Sequence, residues 1–206
     1  MGRLSFRFVF LILLFLCNLG AKTPAFAHID PSYKLIPGMP FVFFDLEDIF
    51  NQRWVSSYLR GRPVIILTGH RYKRYEILQW AEALKRDFGM PGYVHLLWVV
   101  NLSRYPTFTS RQTIVRQWRS FLPPIPLLLD WHRTIGNALQ IDYDVPNIIA
   151  IDSFGRLAFH DIHTFSPEVY MAVAGKIQAL LAVSPNGKAQ TQLGGKKGLG
   201  SGNRGF

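Results

Sequence analysis

Thiols are almost absent from this chain. The single cysteine, Cys17, sits in an N-terminal stretch that reads as removable, and the residues beyond it carry none. Such a chain closes no disulfide even where disulfides are permitted, and builds no thiolate metal site. The apolar run Phe8 to Leu16 falls short of the roughly 20 residues that span a bilayer. Glycine patterns of phosphate loops and dinucleotide folds are missing, as is a G-x-S-x-G elbow. Carboxylates are few, 13 Asp and Glu against 23 Lys and Arg. Asp130, Asp142, Asp144 and Asp152 scatter over strand ends, and no pair has the spacing of joint acid-base work.

What is present begins with a leader. Arg3 and Arg7 precede the apolar run, and Ala25-Phe26-Ala27 supplies a small-x-small cleavage pattern. Residues 1–27 therefore read as a signal peptide, with His28 the first mature residue and the periplasm or the exterior as destination. Leu16 before Cys17 is not the small residue a lipoprotein signal requires. At the other end, residues 184–206 hold glycines and basic residues, no acid and no apolar periodicity, which predicts a disordered basic tail. The formal charge of +10 belongs largely to these two ends. It is thus a poor argument for nucleic acid, and none is expected as a partner; a weak contact of the tail with an anionic surface is the most it supports.

Residues 28–36 form a lead, and 37–183 have the size of one domain with a true core. Phe41 to Phe44 reads as a first strand ended by Asp45, Glu47 and Asp48, with Arg53-Trp54-Val55 as a pairing partner. Val64 to Thr68 has no polar alternation, which predicts a strand buried on both faces. Ile77, Leu78, Ala81, Leu84 and Phe88 recur at helical spacing over 75–88, and Gly89 and Pro91 stop that helix. Further strands are expected at 93–100, 125–129, 147–152 and 157–160. Helices are expected after Thr109 or Ser110 and, from Ser166-Pro167-Glu168, to about Leu181. This order predicts an α/β mixed sheet of about five to six strands with helices on both faces.

Pro37-Gly38-Met39-Pro40-Phe41, Leu59-Arg60-Gly61-Arg62-Pro63-Val64, Leu127 to Asp130, and Val145-Pro146 followed by Ile151-Asp152 and Gly155-Arg156 occur in order. Together they resemble the periplasmic thioredoxin-like proteins of the redoxin and cytochrome-maturation type. There is a fainter likeness to the cysteine-poor YtfJ periplasmic group. The resemblance implies a thioredoxin-like fold, and a cis Pro146 facing the start of the first long helix. It carries the two catalytic cysteines onto Lys73 and Glu76. Thiol-disulfide exchange needs a thiolate, so that chemistry and cysteine peroxidase chemistry are excluded.

Two readings of the remaining residues stay open. His70, Arg71, Tyr72, Lys73 and Arg74 stand where a helix begins, a place that favours anions. They form either a small-anion site walled by Tyr72 or Tyr75, or a solvated loop. Lys73 is a candidate nucleophile only if its charge is suppressed; a Lys73–Glu76 helix pair is the simpler expectation. His160, Asp161 and His163 suggest metal ligands, yet neighbours on a strand point to opposite faces. His28 offers a terminal amine and an imidazole. No metal or cofactor is assigned. The leading expectation is a non-catalytic binding or assembly factor whose partner is an envelope protein or peptide. An extended chain would lie between the 70–74 loop with Glu76 and Val145-Pro146, added as a strand beside the proline. The alternative is a thiol-independent enzyme or small-anion binder using residues 70–74.

Overall fold

The computed structural model describes residues 36–103, 105, 108–139, 141 and 144–184. The leader 1–27, the lead except Ile36, and the tail beyond Ser184 lie outside the described residues, as does Asp142. Seven strands form one sheet: β1 Asp45–Asp48, β2 Arg53–Val55, β3 Val64–Gly69, β4 His95–Asn101, β5 Leu127–Asp130, β6 Asn147–Ile151 and β7 Leu157–Ile162. The helices are α1 Arg74–Phe88, α2 Arg111–Ser120, α3 Thr134–Leu139 and α4 Pro167–Val183. The spatial order is β2-β1-β5-β4-β3-β6-β7. β3 therefore lies inside the sheet, parallel to β4 and antiparallel to β6.

The unalternating apolar strands follow from cover on both sides. Ile65, Leu67, Leu96, Trp98, Val100, Ile148 and Ala150 face one core, to which α1 gives Ile77, Trp80 and Leu84, α2 Ile114 and Trp118, and α4 Tyr170, Val173 and Ile177. The intervening Val64, Ile66, Leu97, Val99, Ile149 and Ile151 face a second core closed by Phe44, Leu46 and the α3 residues Ile135 and Leu139. Helices thus cover both faces. Burying an Ile or Leu side chain of this kind stabilises the fold by about 1.5–3 kcal/mol.

Two expectations require correction. The sheet has seven strands rather than five to six, and the first is Asp45–Asp48, not Phe41–Phe44. Alternation explains the shift: Leu46 and Asp48 point inward, Asp45 and Glu47 outward. The cost of burying Asp48 is offset because its carboxylate accepts from the backbone N–H of Phe50 and Gln52 and from Trp54 Nε1. It thereby shapes the turn into β2, where Asn51 has φ 66°.

Local signals elsewhere behave as their chemistry requires. Ser110 and Ser166 cap α2 and α4, accepting from Thr113 N and Val169 N at 3.2 Å each. Such caps contribute about 1 kcal/mol. Asp130, fully buried, accepts from Thr134 N at 2.8 Å and Ile135 N at 3.0 Å, which fixes the start of α3 against the end of β5. In the β6–β7 turn, Asp152 accepts from Phe154 N and Arg156 N, and Gly155 takes φ 80°, which a side chain would resist.

Candidate functional site

The C-terminal end of β3 gathers the residues of interest. β3 ends at Gly69, a single 3-10 turn covers Arg71–Lys73, and α1 starts at Arg74. His70 stays extended, and its Nδ1 accepts from Tyr72 N at 3.3 Å, so the imidazole caps the turn. Lys73 donates to Glu76 Oε1 at 2.8 Å, one helical turn away. The residues on which the resemblance places two thiols are thus joined as an ion pair, each about a third exposed. A pair this open to solvent contributes at most about 1 kcal/mol.

The arginines turn elsewhere. The Arg71 guanidinium lies over the Tyr105 ring at 4.4 Å and the Tyr72 ring at 4.9 Å. That of Arg74 lies over Tyr75 at 4.8 Å and Phe121 at 5.7 Å. Each also donates from Nη2 to the hydroxyl of the tyrosine that follows it, at 3.0 and 3.2 Å. Three cations at a helix start oppose the macrodipole, each costing about 0.3–1 kcal/mol near the surface. Ring faces offset part of that.

These side chains line a cleft of about 700 Å³. Arg71, Tyr72, Arg74 and Tyr75 form one wall, and Gln117, Ser120 and Phe121 at the end of α2 form the other. Tyr105, Thr109 and the buried Trp118 complete it. The sequence signalled the first wall. It gave no signal for the second, because only the fold brings the end of α2 beside the start of α1. His70, Lys73, Glu76, Val145 and Pro146 do not line this cleft.

Val145-Pro146 does reach the same end of the sheet. A Cβ placed on Gly69 would lie 3.6 Å from Val145 O and 3.7 Å from Pro146 Cα, so the two segments touch. The implied cis bond is corrected: no described peptide bond is cis, and Pro146 is trans, the isomer favoured by about 0.5–1 kcal/mol in the absence of other constraints. The carbonyls here already accept hydrogen bonds. Pro146 O accepts from His163 N at 3.0 Å, and Val145 O from Asn147 Nδ2 at 2.8 Å.

Asn147, completely buried, is a residue that the sequence did not mark. Its Nδ2 serves Val145, so its Oδ1 is the acceptor facing His160 Nε2 at 2.8 Å, and the imidazole carries its proton on Nε2. Burial holds the His160 pKa below its ordinary value, against an opposing pull from Asp161. Asp161 itself binds Lys176 Nζ through both oxygens at 2.8 Å. His160 and Asp161 therefore have separate engagements. Among the described residues, no three His, Cys, Asp or Glu side chains converge as a metal site. No helix among them is long and apolar enough to cross a membrane.

No protein-family model and no curated protein matches the chain. Solved structures do. A protein described as a DsbE thiol:disulfide interchange protein from Chlorobium tepidum superposes with TM-score 0.58 at 14% identity, covering 72% of this chain and 99% of that one. The exposed lipoprotein thioredoxin Etrx1 of Streptococcus pneumoniae gives TM-score 0.55 at 16% identity, over 68% and 100% of the two chains. A peroxiredoxin-like protein from Aquifex aeolicus gives 0.51 at 14%, over 70% and 89%. The chain has the thioredoxin-like fold.

Proposed function

We propose that this protein is exported and acts as a non-catalytic binding or assembly factor, receiving an envelope protein or peptide at the sheet end where the 70–74 loop meets Val145-Pro146. The observation that carries this reading is the 2.8 Å Lys73–Glu76 ion pair on the positions that the resemblance gives to thiols. An ammonium held by a carboxylate is a poor nucleophile, and neither group exchanges with a disulfide. The leader supports export. So does the likeness to Etrx1, an exposed lipoprotein. Two measurements test the reading. Protein recovered from an expressing bacterium should begin at His28. Envelope proteins captured by the wild type should be lost with Pro146→Ala, and an identical capture by both would remove the groove.

A second reading is favoured by a specific observation. Among the described residues, the 700 Å³ cleft is lined by two arginines and by no carboxylate, an arrangement suited to a small anion. Arg74→Ala separates the readings: it should abolish anion binding and leave peptide capture intact if the second holds.

A further inference from the structure

We infer that the cleft between the start of α1 and the end of α2 binds an aromatic carboxylate, a planar ring with a carboxylate attached. This rests on the second reading above and names its ligand class.

Size gives the first argument. At about 700 Å³ the cleft falls within the range of small-molecule sites, roughly 300–1,000 Å³, and is far larger than a bare carboxylate or phosphate needs. The lining gives the second. Among the described residues its charged groups are Arg71 and Arg74, set among hydroxyls and the Gln117 amide, so charge recognition would fall to guanidinium. Among the described residues no carboxylate pairs with Arg74, whose partners are the Tyr75 hydroxyl and the rings of Tyr75 and Phe121. Those rings lie against the guanidinium carbon, and Nη2 donates to the Tyr75 hydroxyl. A guanidinium has five N–H donors, enough to serve a carboxylate edge as well. An anion there would also oppose the excess positive charge at the α1 N-terminus.

Five of the lining residues are aromatic: Tyr72, Tyr75, Tyr105, Trp118 and Phe121. Tyr72 and Tyr75 are 74% and 61% exposed, so each leaves much of its ring open to a ligand. Tyr75 and Phe121 meet edge to face at 5.7 Å across the cleft, a geometry that a third ring can extend. A ring of the ligand would cover this exposed apolar surface while its carboxylate meets the guanidinium. Two sources share the chemistry: a free aromatic acid, and the terminal residue of a peptide ending in Phe, Tyr or Trp.

Calorimetric titration of the purified protein decides. The probes are 3-phenylpropionate, the neutral 3-phenylpropanol, acetate, inorganic phosphate, and an acetylated peptide ending in Phe with its terminus free or amidated. Phenylpropionate should bind one to one, at least about tenfold more tightly than the alcohol, acetate or phosphate. Arg74→Gln and Tyr75→Leu should each weaken it about tenfold or more with an unchanged thermal transition, and Arg74→Lys should recover only part. Tighter binding of the free-terminus peptide than of the acid assigns the source to a chain end; the reverse assigns it to a free acid. Equal affinity for the alcohol, or no effect of Arg74→Gln, overturns the inference. Phosphate binding as tightly as phenylpropionate and lost in Arg74→Gln overturns the aromatic assignment alone and leaves an anion site standing. No binding of any probe by correctly folded protein overturns both, while Pro146-dependent capture would still support the first reading.

Discussion

Asn147 ties the Val145-Pro146 segment to β7, and removing its side chain should loosen the whole end of the sheet. Asn147→Ala deletes the bond to Val145 O and the bond to His160 Nε2, both 2.8 Å. Each buried bond is worth about 1 kcal/mol net, and an orphaned buried partner costs about 1–3 kcal/mol. Asn147 is 0% exposed, so water does not readily replace the lost amide. The expected loss is about 3 kcal/mol. For a domain of this size that lowers the melting temperature by about 6–12 °C. Urea denaturation of the wild type, Asn147→Ala, His160→Ala and the double variant completes a cycle. The coupling between the two side chains should be about 1 kcal/mol. A loss under about 1 kcal/mol for Asn147→Ala, or perfect additivity, would refute the network.

Other outcomes follow from the same contacts. Burial lowers the pKa of His160 below 6.5, so the fold holds a neutral imidazole while the unfolded chain takes up a proton as pH falls. That stability is fully present above about 6.5 and is lost as pH drops through the folded value. Urea midpoints should fall between about pH 7.5 and pH 5, and less steeply in His160→Gln. His95, lowered by burial and then by Arg62, acts in the same direction, and adding His95→Gln should flatten the profile further. Tyr170 links α4 to α1: its hydroxyl faces Ala83 O at 3.0 Å and the Asp87 carboxylate. Burial and Asp87 push its pKa well above the usual phenol range. Tyr170→Phe should cost about 1–2 kcal/mol by urea denaturation, and an unchanged midpoint would mean that the hydroxyl is idle.

The parts of the fold legible in the sequence are those fixed by short-range pattern. Val64 to Thr68 lacks polar residues because both sides are covered, and Ile77, Ala81, Leu84 and Phe88 repeat at the helical period because one side of α1 is. Phe41 to Phe44 looks apolar in isolation and so predicts the first strand too early; the strand is Asp45–Asp48. Asp48 becomes an inward residue only once Phe50, Gln52 and Trp54 fold around it. The candidate site divides in the same way. The cluster 70–74 and the pairing of Lys73 with Glu76 are local and readable. Phe121 beside Tyr75, and Asn147 between Val145 and His160, are contacts that exist only after the sheet and helices assemble. No spacing along the chain encodes them.

A thioredoxin-like scaffold that carries the Lys73–Glu76 ion pair where the resemblance expects thiols should not exchange electrons with a disulfide. Turnover of insulin disulfides by the purified, metal-free protein with Cys17→Ser, driven by dithiothreitol, tests it most directly. The expected rate equals that of dithiothreitol alone. A rate above that blank, proportional to protein concentration, would contradict it.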